Sequence, residues 1–119
     1  MTIQDVYTEL QGDYDDARKR LMNETMVVRF VKKFPTDPSM QQLRDAVKEK
    51  DIETSFRAVH TLKSVSGVLG FTKLFEACVT LTEQLRPRLD YADPDLLAVI
   101  EKEYTRTIGV LCRFIAENA

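Results

Sequence analysis

The sequence predicts an all-α domain in which consecutive helices run antiparallel as a bundle. Apolar residues recur at helical spacing in every long segment, and no segment shows convincing period-two alternation. The four glycines and four prolines fall almost entirely where a helix could end. The chain has 119 residues, of which 44% are hydrophobic, enough for one domain with one small packed core. We therefore expect residues 1–119 to form a single domain.

The first segments of the chain predict three helices. Gly12 and Asp13 separate a short N-terminal helix from the segment DYDDARKRLM, which Asp13 can cap. The stretch NETMVVRFVKKF, residues 23–34, has the apolar spacing of a third helix, and Pro35 ends it. The apolar positions of this third helix are Met26, Val27, Phe30, Val31 and Phe34.

The middle of the chain predicts a helix that ends near Lys50. Asp37 and Pro38 resemble an N-cap followed by proline in the first helical turn. The apolar stripe of this helix is formed by Met40, Leu43, Ala46 and Val47.

Two further helices follow. Asp51 can cap a helix that runs to about Leu69, and Gly70 stands at its C-terminal end. Thr72 can cap the next helix, which Pro87 kinks or ends. The apolar positions of this second helix are Leu74, Phe75, Cys78, Leu81 and Leu85.

Asp93 and Pro94 predict the start of the last helix, because they repeat the pattern of a cap followed by proline. Both cysteines of the chain, Cys78 and Cys112, lie among apolar residues and no CxxC is present, so we expect buried reduced thiols. The apolar positions of the last helix are Leu96, Leu97, Ile100, Tyr104, Ile108, Leu111, Cys112 and Ile115.

Charge and hydropathy exclude several classes of function. The formal net charge is −2, whereas a nucleic-acid-binding domain needs a basic face. The local basic clusters at residues 18–20 and 32–33 are interpreted as solvated helix faces. No apolar run approaches the roughly 20 residues that span a bilayer, and the N-terminus lacks the regions of a signal peptide. We expect a cytoplasmic protein that binds neither nucleic acid nor membrane.

The only histidine, His60, is predicted to lie on an accessible face of its helix. At about 100° per residue, Ala58, Leu62, Val65 and Leu69 form one buried stripe, and His60 falls nearly opposite. The residues that cluster around it on the helical projection are Glu53, Phe56, Lys63, Ser64 and Gly67.

This arrangement predicts an accessible nucleophilic imidazole. Lys63 lies one turn along, close enough to neutralise an anion held on the ring. Ser64 and Gly67 are small, and glycine is unfavourable within a helix, so a small face suggests that another surface comes close. A neutral imidazole is available near pH 7, and its ring nitrogen can carry a phosphoryl group as a phosphoramidate.

Other chemistries lack their residues. No Gly-rich phosphate loop or kinase-like nucleotide motif is present, so the chain is not expected to be a kinase or to bind ATP. One histidine and no CxxC argue against a zinc site, and no second histidine exists for a hydrolase triad. We expect no cofactor on this chain.

The stretch from His60 to Gly70, HTLKSVSGVLG, resembles the phosphorylation motif of histidine-containing phosphotransfer (HPt) domains, in which HxLKG is followed by small residues and then LG. The resemblance extends to GDYDDARKRLMNETMVVRFVKKF, AVKEKDIETSFRAVHTLK and FTKLFEACVTLTEQLR, and covers about residues 12–115. It implies an elongated bundle with a four-helix core, here with an added short N-terminal helix.

The resemblance also implies a function. His60 would accept a phosphoryl group from the aspartate of a response-regulator receiver domain, fed by a hybrid sensor histidine kinase, and pass it to another receiver. Lys63 would stabilise the phosphoryl group, Ser64 and Gly67 would floor the docking surface, and Arg86 matches a position that is sometimes basic. The receiver would supply the magnesium ion, and the carrier would be a monomer.

Two positions depart from the family pattern. Ser64 replaces the glycine that follows the lysine, which leaves the face small but makes the approach tighter. Thr82, followed by Glu83, stands where many members carry a Gln or Glu that orients the histidine ring. Either the Thr82 hydroxyl takes this role, or the role is lost.

Two alternatives to a stand-alone relay protein stay open on the sequence. The chain could be a non-catalytic helical adaptor for receiver or kinase domains, which phosphate on His60 would distinguish. It could also be one domain of a larger hybrid or chemotaxis kinase. The initial Met1 and the absence of linker-like composition at either end favour a stand-alone protein.

Overall fold

A computed structural model describes residues 1–118 as an all-α, elongated helical bundle of about 43 × 25 × 19 Å. Within these residues there is no β-strand. The seven α-helices are α1 (Ile3–Leu10), α2 (Tyr14–Leu21), α3 (Glu24–Lys33), α4 (Ser39–Lys48), α5 (Ile52–Val68), α6 (Thr72–Leu85) and α7 (Pro94–Glu117), and a short 3-10 helix spans Phe34–Thr36.

The four-helix core consists of α4 to α7. Helix α5 packs between α4 and α6, and α6 packs in turn on α7. Residues 49–51 and 69–71 are the only connections at the two ends of α5, so each neighbour must run antiparallel to it. Helix α1 covers α7, while α2 packs on α3 and α5. The predicted bundle with a short N-terminal helix is confirmed.

Side-chain caps begin the helices at most of the predicted positions. The carboxylates of Asp13, Asp51 and Asp93 accept hydrogen bonds from backbone N–H groups in the first turns of α2, α5 and α7. Asp37 does the same for the N–H of Ser39. The prediction for α6 is wrong, because Thr72 lies inside the helix and its hydroxyl donates to the Gly70 carbonyl instead.

A glycine with left-handed backbone ends α5 and seats the N-terminal segment against it. Gly70 has φ of 69°, and the Phe71 N–H donates to the Ser66 carbonyl, as expected of a helix stop. The Gly70 carbonyl then accepts the Asp13 N–H at 2.9 Å. A Cβ on Gly12 would lie 2.5 Å from that carbonyl oxygen, so the two segments cross where only glycine fits.

Helix α5 buries a wider arc than the four-residue stripe that its sequence predicts. Ala58, Leu62 and Leu69 are buried, while Val65 is half-buried. Because both α4 and α6 pack on α5, the buried arc also takes in Ser55, Phe56, Val59 and Ser66. The remaining outward strip is narrow, and it carries the histidine.

Two apolar positions are more exposed than their spacing predicts. Phe30 on α3 is 38% exposed, although it belongs to the apolar spacing of that helix. Cys112 on α7 is exposed as well, so the expectation of two buried thiols is wrong for this one. Cys78 is buried, and burial raises the pKa of its thiol to about 12, which keeps it protonated.

Candidate functional site

His60 lies near the middle of α5 on its exposed strip. The helix is held from the opposite side by Ala58, Val59 and Leu62, which are all buried. Within residues 1–118, the imidazole ring makes no hydrogen bond, and only the backbone carbonyl of His60 accepts one. The ring nitrogens are therefore open to an approaching partner.

Lys63 provides a cation one turn after His60, on the side of the helix that faces α6. It is half-buried, and it forms no ion pair in the part of the chain that the structure describes. The pKa of Glu83 is lowered first by hydrogen bonds from Arg86, and to a smaller extent by the charges of Arg86 and Lys63. Lys63 thus has a distant acidic neighbour but no committed partner, and its ammonium group is available to an anion.

Ser64 keeps the surface beside His60 small. Its hydroxyl donates to the His60 carbonyl at 3.0 Å, which folds the short side chain back onto the helix. The serine that replaces the family's glycine therefore does not obstruct the approach of a partner to the imidazole.

Gly67 is small for a packing reason. A Cβ on this residue would lie 3.0 Å from both Cδ1 and Cε1 of Phe75 on α6, which is tighter than an ordinary contact. A large side chain at Gly67 would therefore disturb the contact between α5 and α6, and the expected role of Gly67 in a docking surface stays a prediction. Gly67 serves close packing of α5 on α6, although it also lines a shallow cleft next to Lys63.

Two helical glycines offer a matched test of this packing. At Gly109 on α7 a Cβ would meet nothing within 4 Å, so Gly109→Ala should raise the free energy of unfolding by roughly 0.5–1 kcal/mol through helix propensity. Gly67→Ala should gain clearly less or lose stability, and Gly67→Leu should lose about 1–3 kcal/mol by overpacking. Urea denaturation measures all three, and an equal gain at Gly67 and Gly109 would contradict the packing role.

Phe56 lies one turn before His60 and contacts its ring. The two ring centroids are 5.9 Å apart, with an interplanar angle of 43°. Phe56 was expected on the accessible face, yet it is only 9% exposed, because residues beyond the end of α6 cover it. The guanidinium of Arg88 lies 3.6 Å from the Phe56 ring centroid, and that of Arg86 lies 5.6 Å from it.

Arg86 follows the last residue of α6 and reaches toward the same face. Its Nε and Nη2 donate to the two carboxylate oxygens of Glu83, each at 2.9 Å. Both side chains are about half exposed, so this ion pair is a weak one that a stronger anion can displace. Arg86 is connected to the site by its contact with Phe56, but its guanidinium is already bound to Glu83.

The histidine, its neighbouring lysine and the small face after them all lie inside one family match. The family model of the Hpt domain matches residues 26–109, which is most of the chain. The chain belongs to the Hpt domain family. The match falls within the residues 12–115 for which the sequence shows the resemblance, and it contains α4, α5 and α6 whole. No curated protein and no solved structure gave a significant match.

Membership places the chain among the histidine phosphocarriers of phosphorelays, which are not kinases. No helix in residues 1–118 has both the length and the apolarity that a membrane crossing requires. In the same residues no group of three or more His, Cys, Asp or Glu side chains is arranged to hold a metal ion.

Thr82 does not contribute a group to the exposed site of this Hpt domain. Its side chain is fully buried in α6, and its hydroxyl donates to the Cys78 carbonyl at 2.7 Å. Because the hydroxyl is buried and donates to the backbone of its own helix, the prediction that Thr82 is a binding residue is wrong.

An apolar groove beside the exposed strip of α5 was not predicted from the sequence. A groove of about 630 Å³ runs between α5 and the segment from the end of α2 to the start of α4. Ser64 stands at its edge, one turn from His60, and Lys33 adds a cation to its wall. The exposed side chains of Phe30 and Val68 form its apolar rim. The apolar residues lining it are Leu21, Phe30, Phe34, Pro38, Val65, Val68 and Leu69.

Proposed function

We propose that His60 accepts a phosphoryl group from the aspartate of a response-regulator receiver domain and passes it to a second receiver in a multistep phosphorelay. The supporting observation, in an Hpt chain, is an exposed imidazole that makes no hydrogen bond within residues 1–118 and lies one turn from a half-buried lysine that forms no ion pair there. A hybrid sensor histidine kinase is the proposed origin of the phosphate. We also propose that the protein is a monomer and acts in the cytoplasm.

The transfer step follows from the imidazole. The unprotonated ring nitrogen attacks the phosphorus of the aspartyl phosphate, so that a nitrogen–phosphorus bond forms as the acyl oxygen–phosphorus bond breaks. The aspartate leaves as a carboxylate, while the second ring nitrogen keeps its proton. The next receiver aspartate reverses this step and regenerates the free imidazole.

Charge neutralisation is divided between the two proteins in this proposal. Phosphoryl transfer requires mainly positioning and cations near the equatorial oxygens. Lys63, which forms no ion pair among the described residues, supplies a cation on the Hpt side, and Arg86 can add a second by exchanging Glu83 for the phosphoryl group. The receiver supplies the magnesium ion.

We further propose that the receiver docks across the histidine strip and into the apolar groove that Ser64 borders. The groove is continuous with the strip, and its rim exposes Phe30 and Val68, whose burial by a partner would favour binding. An apolar receiver surface seated there would bring its aspartate over His60.

Val68 and Val99 allow a controlled test of this docking face. They are similarly exposed, at 40% and 48%, but only Val68 lines the groove, since Val99 lies on α7. Val68→Glu should weaken receiver binding by about tenfold or more, because a carboxylate would be buried in an apolar contact. Val99→Glu should leave binding unchanged. Equal affinities of the two variants in isothermal titration calorimetry would exclude the groove.

The proposed function is tested by incubating the protein with receiver domains phosphorylated on aspartate with labelled phosphate. We expect the label to move to this chain, and we expect no labelling by ATP alone, since no nucleotide motif is present. If receivers bind but no label moves, the chain acts as an adaptor instead of a carrier.

A further inference from the structure

Within the part of the chain that the structure describes, no hydrogen bond fixes the orientation of the His60 ring. Thr82 is buried and committed to the Cys78 carbonyl, and no other group within residues 1–118 bonds to the imidazole. The aromatic contact of the ring is with Phe56, at 5.9 Å between centroids. The orientation of the imidazole therefore depends on where the Phe56 ring lies.

The Phe56 ring is held in turn by Arg88. The guanidinium carbon of Arg88 lies 3.6 Å from the ring centroid, which is a stacked cation–π contact. Arg86 is farther away, at 5.6 Å, and is bound to Glu83. Arg88 is thus the side chain that closes over Phe56 on the side of the α6–α7 connection.

Arg88 makes three polar bonds, to α5, to the end of α6 and to the residue that follows α6. Its ion pair with Glu53 is partly exposed, so the bonds act together and no single one is strong. Its Nε donates to Glu53 of α5 at 3.0 Å, and its Nη1 donates to the Arg86 carbonyl at 2.7 Å. Its backbone N–H donates to the Leu85 carbonyl at 2.9 Å. The backbone adopts φ of 55°, a left-handed conformation that disfavours non-glycine residues, so its side-chain contacts must offset this strain.

We propose that Arg88 is a positioning residue for His60, acting through its face contact with Phe56 and through the tilted contact of Phe56 with the imidazole. The proposal rests on the proposed phosphotransfer function. The planar guanidinium holds the Phe56 ring, and the held ring limits the orientations of the imidazole that must meet the receiver's aspartyl phosphate. These two contacts take the place of the hydrogen bond that Thr82 does not make.

Arg57 provides a matched control. It is also an arginine bound to Glu53, at 3.2 Å, and it is exposed, but within residues 1–118 it makes no cation–π contact with Phe56. Arg57→Ala and Arg88→Ala therefore remove the same charge and one partner of the same carboxylate, and they differ in the Phe56 contact and in the bond from Arg88 to the Arg86 carbonyl. Arg88→Lys keeps the positive charge and lacks the planar guanidinium.

The first readout is NMR of the imidazole protons, which is unambiguous because His60 is the only histidine. Arg88→Ala should shift and broaden the Hδ2 and Hε1 resonances, since the ring current of Phe56 depends on its position. Arg88→Lys should do the same, because lysine keeps the charge but lacks the flat face. Arg57→Ala should leave both resonances in place. Unchanged resonances in Arg88→Ala, or full rescue by Arg88→Lys, would overturn the proposal.

The second readout is the rate of phosphoryl transfer from a phosphorylated receiver at saturating concentration. We expect Arg88→Ala and Arg88→Lys to be about tenfold slower than the parent, as for a misplaced reacting group, and Arg57→Ala to match it. If the parent itself takes up no phosphate, the proposed function fails, but the NMR comparison still tests whether Arg88 orients the His60 ring through Phe56. If the parent is labelled and Arg88→Ala transfers at the same rate, the positioning role fails alone.

Discussion

Replacing His60 with glutamine is expected to abolish phosphate uptake from a phosphorylated receiver. The imidazole is the only one in the chain, and glutamine offers an amide of similar reach that cannot form a stable phosphoramidate under the same conditions. The free energy of unfolding should change by less than about 0.5 kcal/mol, because His60 is exposed and its ring forms no hydrogen bond in residues 1–118. Gel labelling and urea denaturation of the same sample measure both effects.

A substitution away from the docking face controls for the introduction of a glutamine. Thr80 is exposed on α6 and lines a different cleft, so Thr80→Gln introduces the same side chain outside the proposed site. This variant should take up phosphate at the parental level. Labelling that persists in His60→Gln would assign the chemistry to a different residue.

Replacing Lys63 with alanine is expected to slow transfer without unfolding the protein. Its ammonium group has no ion pair in the described part of the chain, so little stability is lost. A charged hydrogen bond to the phosphoryl oxygens would contribute about 1–3 kcal/mol, which corresponds to a rate loss of about 5- to 150-fold. Quenched-flow measurement of the single-turnover transfer rate gives the value directly.

Lys73 supplies the control for overall charge. It lies on α6, is exposed, and lines a different cleft from the one beside Lys63. Lys73→Ala removes one positive charge and should transfer phosphate at the parental rate. If the two lysine variants are equally slow, the effect of Lys63 is long-range charge and not contact with the phosphoryl group.

Most of the bundle could be predicted from the sequence because its signals are local. Asp13, Asp51 and Asp93 cap helices as their positions predict, and Gly70 ends α5 with a left-handed backbone. The exposure of His60 also follows from a single helical projection.

The predictions from the sequence are incomplete or wrong for residues whose surroundings depend on packing between two helices. The projection of α5 alone predicts a small outward face at Gly67, but it cannot show that the Phe75 ring of α6 packs against this residue. Thr82 was considered as a ligand for the histidine, but a threonine in a helix can satisfy its hydroxyl with its own backbone, as this one does.

The contacts of Arg88 and Phe56 beside His60 could not be predicted because they join distant positions. Arg88 and Glu53 are 35 positions apart, and nothing in the local sequence indicates that the turn after α6 folds back over Phe56. The same holds for the groove, which three separate segments form around Phe30 and Val68.

In the proposed relay, His60 holds phosphate only in transit between receivers. The most direct test is phosphorus-31 NMR of the protein after exposure to one phosphorylated receiver, followed by addition of a second, unphosphorylated receiver with magnesium. We predict a resonance from phosphohistidine, an adduct that is acid-labile and base-stable. This resonance should disappear as the second receiver becomes phosphorylated. No such resonance with a receiver that binds, or a resonance that persists with every receiver that binds, would contradict the account.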